Sequence, residues 1–225
     1  MSKTGGGRGT NQYGIRGASQ AGRHDAAVLD GLAGDADLGE RLAMAADRDT
    51  PPEVLTLLAE DKDEWVRFRT AMNPSTPPEV LARLAEDETL MFDGYHQSRR
   101  PLSSGVAENP SAPRQVLEAL SRSVYSYTRG FVAQNPSTPP EVLERLAEDR
   151  DTGNQRLVAE HQHTPPEALA RLAEDESDWV REAVAFNECT PPDVLARLAE
   201  DESERVRRAA ALNSSTPADA LARIP

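Results

Sequence analysis

The chain has 225 residues and a formal net charge of −13, with 38% hydrophobic and only 4% aromatic residues. So few rings argue against one thick globular core, since aromatics carry much of the buried area in ordinary cores. The single cysteine, Cys189, excludes an internal disulfide and any cysteine-built zinc or iron–sulfur centre.

Residues 1–23, MSKTGGGRGTNQYGIRGASQAGR, hold seven glycines, four basic residues and no acid. That composition cannot bury a core and predicts a basic, disordered arm. The arm carries +4, which leaves −17 for the rest of the chain. No apolar run nears the roughly 20 residues of a membrane span, and no secretory h-region opens the chain. A soluble, cytoplasmic protein of bacterial type is the expectation.

After the arm the chain repeats itself. NPSTPPEVLARLAED (73–87) and NPSTPPEVLERLAED (135–149) differ only at Ala82 against Glu144. Thr-Pro-Pro-Glu and its variants recur at Thr50, Thr76, Thr138, Thr164, Thr190 and Thr216, at spacings of 26, 62, 26, 26 and 26. The 62 resolves into 36 and 26 once SAPRQVLEAL is aligned with Ala112 in the threonine place. HDAAVLDGLAGD (24–35) fits the template weakly. Units therefore start at 24, 50, 76, 112, 138, 164 and 190, with a half unit from 216, and one unit carries ten extra residues.

Each unit predicts two helices. The first opens on a capping box, in which the threonine accepts from the N3 amide and the N3 acid reaches back. The pairs are Thr50/Glu53, Thr76/Glu79, Thr138/Glu141, Thr164/Glu167, Thr190/Asp193 and Thr216/Asp219. Proline at the first helical position is tolerated because its missing N–H would have no helical partner. Val80, Leu81, Leu84 and Ala85 mark the buried stripe, and an acidic Glu-Asp turn ends the helix. A second, shorter helix follows, typified by WVREAVAFN (179–187), stopped by an asparagine able to adopt a left-handed conformation. Its alanine column, Ala45, Ala71, Ala107, Ala133, Ala159, Ala185 and Ala211, calls for close approach of a neighbouring backbone. Two helices in 26 residues cannot bury themselves, so neighbours must stack into an all-α solenoid.

The motif NPxTPPEVLxxLAxD, with the WVRxAVA that follows, resembles the leucine-rich repeat variant family over residues 24–225. That resemblance implies a right-handed superhelix in which the second helix is often 3₁₀. The 26-residue period points to a more fully α-helical second helix here. No cysteine precedes Cys189, so the amino-terminal iron–sulfur cluster of some relatives is not expected. Architecture of this kind does not fix function.

Candidate chemistry is sparse. His161, His163 and Cys189 sit in inter-repeat turns, and places in adjacent units are roughly 10 Å apart for stacked helices, too far for zinc donors at about 2.0–2.3 Å. No metal, cofactor or catalytic constellation is expected, and therefore no enzyme. A first-helix arginine series, Arg83, Arg145, Arg171, Arg197 and Arg223, lies four residues after each box acid and predicts helical i, i+4 pairs. A second-helix series, Arg41, Arg67, Arg129, Arg181 and Arg207, reads either as a ladder to acidic turns or as a positive line for carboxylates or phosphates. Trp65, Tyr127 and Trp179 form an aromatic column, either inter-repeat packing or binding hot spots. The insertion, placed as a loop over residues 89–104, offers Phe92, Tyr95, Arg99 and Arg100 on the face where repeat insertions often bind.

These readings converge on a non-enzymatic scaffold that binds a basic or mixed-charge protein through the solenoid surface and the insertion. Candidate contact residues are Trp65, Trp179, Tyr127, Phe92, Tyr95, Arg99, Arg100, Arg67, Arg129, Arg181 and Arg207. The alternative is a nucleic-acid-associated protein using residues 1–23 and the second-helix arginines.

Overall fold

The computed structural model describes residues 36–92 and 99–223. The arm, the first half of the first unit and Tyr95 lie outside the described residues. First helices are α2 (Pro52–Leu58), α4 (Pro78–Ala85), α6 (Arg114–Leu120), α8 (Pro140–Leu146), α10 (Pro166–Leu172), α12 (Pro192–Leu198) and the short α14 (Ala218–Leu221). Second helices are α1 (Leu38–Ala46), α3 (Glu64–Met72), α5 (Ser103–Glu108), α7 (Ser126–Gln134), α9 (Thr152–Glu160), α11 (Asp178–Phe186) and α13 (Glu204–Leu212). Between α4 and α5 lie β1 (Leu90–Phe92) and β2 (Arg99–Pro101).

Helices this short are marginal alone, and their stability must come from packing. First helices bury the same three places in units 2 to 7, as in Val54, Leu55, Leu58 and again in Val194, Leu195, Leu198. Each second helix packs on the second helix of the next unit, from α1 on α3 through to α11 on α13. Alanine permits that approach: Ala45, Ala71, Ala107, Ala133, Ala159 and Ala185 are wholly buried. Ala211, in the last complete unit, is exposed. The fold is an α-solenoid, and the second helix is α rather than 3₁₀. It is generally also the longer of the two: the usual lengths are nine residues for the second helix and seven for the first.

Four local expectations change. The threonines do not cap. Thr50, Thr76, Thr138, Thr164, Thr190 and Thr216 donate their hydroxyls backwards to Met44, Thr70, Val132, Val158, Val184 and Ala210 carbonyls at 2.5–2.6 Å. Helix entry falls to the proline pair: the second proline disfavours helical backbone at the first, so Pro51 sits extended at ψ 144° and Pro52 begins α2.

The asparagines are not left-handed. Asn73, Asn109, Asn135, Asn187 and Asn213 lie at φ −68° to −76° and ψ 121–125°. What selects asparagine is its amide. Asn135 donates to Ala107 O (2.7 Å) and Asn109 O (2.8 Å) of the preceding unit, and the others do the same. Each asparagine thus satisfies carbonyls that the preceding second helix leaves open at its end.

Most first-helix arginines reach the preceding unit rather than their own helix. Arg83 meets Glu60, Arg171 meets Glu144 and Glu148, Arg197 meets Glu174 and Arg223 meets Glu200. Only Arg223 of this series also makes the i, i+4 pair, with Asp219.

The insertion is an antiparallel hairpin, not a plain loop. Leu90 pairs with Pro101, Met91 with Arg100 and Phe92 with Arg99. Met91 and Leu102 are wholly buried and anchor it to the core, and residues from Ser103 onward already belong to α5.

Candidate functional site

The second-helix arginines serve the fold. Arg181 donates Nε and Nη2 to Asp201 (2.8 and 2.9 Å) and Nη1 to Asp175 O (2.8 Å). Arg129 does the same with Asp149 and Ser123 O, and Arg41 with Asp61 and Ala36 O; Arg67 donates Nε to Asp87, Nη1 to Asp61 O and Nη2 to Thr89 Oγ1. Each ties the turn of its own unit to the acid of the next. The acids are held as carboxylates. Burial pushes Asp149 and Asp201 up, but the arginine bonds and the Asp151 and Ser203 amides outweigh it and leave both below the usual range. Hydrogen bonding from the same acids raises Arg129 and Arg181 against the opposing effect of burial. Arg129 and Arg181 are buried, so the column does not present an open positive line. Arg207 bonds the Asp201 and Glu202 carbonyls of its own turn.

Other candidates also turn inward. Trp65 packs edge-on to Phe68, with centroids 5.9 Å apart, and against the core. Arg100 lies between the Phe68 and Phe131 rings, 4.7 and 4.6 Å from their centroids, and pairs with Glu108. Gly105 makes room beside this stack, since a Cβ there would come within 2.7 Å of the Phe68 ring. Phe92, Arg99, Tyr127 and Trp179 are exposed. Trp179 carries Arg205 3.5 Å from its ring centroid and Arg156 at 5.6 Å. His161 is buried in an asparagine place of the ladder; its neighbour His163 lies 5.4 Å away, ring to ring. Among the described residues no cluster of three or more His, Cys, Asp or Glu side chains could hold a metal.

Sequence reasoning missed the place where the repeat grammar fails. The tie recurs 20 residues apart, and between units 3 and 4 both ends are serine, Ser103 and Ser123. The first-helix pair is lost there too: the place of Arg83 is taken by Ala119, which leaves Glu86 without a cationic partner among the described residues. The following turn reads Ser123-Val124-Tyr125 where other units have acids and polar residues. Val124 is 75% exposed and Tyr127 64%. A cleft of about 810 Å³ opens at this seam. Ala82 and Ala85 of α4 face Val116, Ala119 and Leu120 of α6 across it. Leu90 and Pro101 of the hairpin base lie below, with Glu86–Glu88 on one rim and Arg122–Tyr125 on the other. The other seam lacking the arginine, with Gln155 facing Asp175, has a smaller depression of about 330 Å³ beside Gly153 and Trp179. The aligned register held the signal, in the paired loss at 103 and 123.

Among the described residues no helix is long and apolar enough to cross a membrane. A model of the leucine rich repeat variant matches residues 128–151. No curated protein matches the chain. Among solved structures, a leucine-rich repeat variant described as having a novel repetitive structural motif is 29% identical with a TM-score of 0.58, covering 88% of this chain and 74% of its own. Crystal structures of two engineered proteins are 17% and 18% identical, with TM-scores of 0.41 and 0.34; each covers 84% of this chain, and 67% and 94% of its own. At those scores they carry no weight. On the matched repeat, its recurrence from unit to unit and the shared solenoid, the chain is similar to the leucine-rich repeat variant family and is a repeat scaffold by architecture.

Proposed function

We propose that the protein is a non-enzymatic scaffold that binds a basic or mixed-charge protein partner at the cleft between units 3 and 4. The observation that carries this reading is the coincidence of four departures at one seam: the hairpin, the lost Arg/Asp tie, Glu86 with no cationic partner among the described residues, and the apolar Val124–Tyr125 turn. At four other seams the arginine and aspartate of these positions hold neighbours together. An apolar cleft with an acidic rim suits a partner that brings aliphatic or aromatic anchors beside basic side chains. The nucleic-acid alternative loses its arginine column to the ladder and keeps only residues 1–23, which lie outside the described residues.

Capture from the native host, followed by affinity measurement on the identified partner, tests this. Val124→Asp with Tyr125→Asp should weaken binding at least about tenfold, since interface energy concentrates in such anchors. Trp179→Ala should stay within about twofold. Unchanged affinity in the first variant, with an intact helical spectrum, would defeat the assignment.

A further inference from the structure

We infer that residues 11–23 of this same chain, NQYGIRGASQAGR, occupy the cleft between units 3 and 4 and compete there with the partner. This rests on the reading of that cleft as the docking surface.

Charge comes first. Residues 1–23 carry Lys3, Arg8, Arg16 and Arg23 and no acid, and the remainder of the chain carries −17. Several acids of the solenoid turns already have cations: Glu60 has Arg83, Glu174 has Arg197, Glu200 has Arg223, and Asp149 and Asp201 have the ladder arginines. Glu86 and Glu88, on the cleft rim, are exposed and have no cationic partner among the described residues. This is where acid and apolar surface coincide.

Anchors come second. Within the segment, Tyr13 and Ile15 stand among glycines and polar residues, with Arg16 adjacent. In an extended chain, residues 13 and 15 share one face. They would enter between Val116, Leu120 and Leu90 while Arg16 stays at the rim beside Glu86 and Glu88.

Reach comes third. By register Ala36 is equivalent to Lys62, Glu88 and Val124, so the chain enters the described structure along the same edge as the cleft. Arg41 confirms that edge by bonding both Ala36 O and Asp61. Units stack at roughly 10 Å, which puts the cleft about 20–30 Å from Ala36. The ten residue steps from Tyr13 to Arg23 alone span up to about 35 Å when extended. A tether of this length holds the segment at a local concentration on the order of millimolar, so a weak contact suffices.

The test uses the full chain. Cys189→Ser removes the native thiol conservatively, because serine holds that place in units 2, 3, 4 and 7. Ser19→Cys then carries a nitroxide, and paramagnetic broadening of amide signals is read along the solenoid. Expected is strong broadening at Glu88, Leu90, Val124 and Tyr125, weak broadening at the equivalent Glu176 and Glu202, and loss of the contrast in Tyr13→Ser with Ile15→Ser. Even broadening over all acidic turns, or broadening indifferent to Tyr13 and Ile15, overturns the inference. If the arm fails this test while Val124→Asp with Tyr125→Asp still abolishes partner binding, the scaffold reading survives and this one falls. If the arm passes while those cleft substitutions leave partner binding intact, the scaffold reading is the one that falls.

Discussion

Units 6 and 7 meet along a seam where the recurring contacts are present; units 3 and 4 meet along one where only half remain. At the first, Arg181 holds Asp201 at one end of the second helix and Asn213 holds the Ala185 and Asn187 carbonyls at the other. At the second, Asn135 still holds Ala107 and Asn109, but serines replace the ion pair. The difference separates two jobs. The asparagine edge satisfies backbone carbonyls that would otherwise be buried and unpaired, and it cannot be dropped. The arginine edge joins two side chains, and both can be exchanged together for small neutral ones without orphaning a charge. A repeat array can therefore open one edge of a seam and stay intact at the other.

Breaking the arginine edge at one end only should have the largest effect. Arg181→Ala leaves Asp201 in a half-buried place with no opposite charge, and the loss should be about 3 kcal/mol in denaturant unfolding. Ser103→Ala, at the equivalent place of the opened seam, should change stability by less than about 0.5 kcal/mol. The pH response follows. The folded Asp201 carboxyl titrates below its ordinary 3.8, so its contribution is full above that value and is lost as pH falls through the folded value. The Arg181→Ala chain should lack that part of its acid sensitivity. Equal unfolding midpoints for the wild type and Arg181→Ala would reduce the ladder to decoration.

Breaking the asparagine edge sharpens the comparison further. Asn135→Ala leaves two buried carbonyls unsatisfied and should lose about 2 kcal/mol. Because the seam beneath it has no ion pair, hydrogen exchange in α5 and α7 should accelerate more than exchange in α11 and α13 does after Asn213→Ala. Equal acceleration at the two seams would mean that the missing arginine tie has no bearing on local opening.

The solenoid was legible from the sequence because period, helix pattern and alanine column are properties of single positions repeated. Pairings were not. Threonine before Pro-Pro reads as a cap in isolation; only the neighbouring helix end shows that its hydroxyl has a stronger claim there. Asn187 reads as a helix stop, while its amide serves carbonyls 26 and 28 residues earlier. The arginine ladder spans 20 residues, so neither partner lies in the other's local window. The insertion was visible as broken register, and its hairpin register was not, because Asp93-Gly94 suggests a two-residue turn whereas Phe92 pairs with Arg99, six residues intervening. For the cleft, the aligned columns held Ser103 with Ser123 and Glu86 with Ala119, and comparing columns rather than reading rows would have found it.

The smallest effect comes from the one ladder position where asparagine is replaced. His161 accepts the His163 amide on Nδ1 at 3.1 Å and sets Nε2 against Asn135 O at 3.0 Å. A carbonyl can only accept, so Nε2 carries the proton and Nδ1 has none. The neutral ring thus mimics an asparagine, donating through one atom and accepting through another. Protonation would place a second N–H against the His163 amide. Burial lowers the folded pKa of His161 below the ordinary 6.5, with His163 adding to the shift and the Asn135 carbonyl opposing it. The unfolded chain therefore binds this proton first, and the seam between units 4 and 5 weakens as pH falls below about 6.5. His161→Asn restores the ladder amide and removes the titration. Its unfolding midpoint relative to the wild type should be nearly level at pH 7.5 and should rise toward pH 5, by an amount worth about 1 kcal/mol or less. A difference that does not change between those two pH values would show that His161 keeps the same proton count folded and unfolded, and that its place in the ladder is passive.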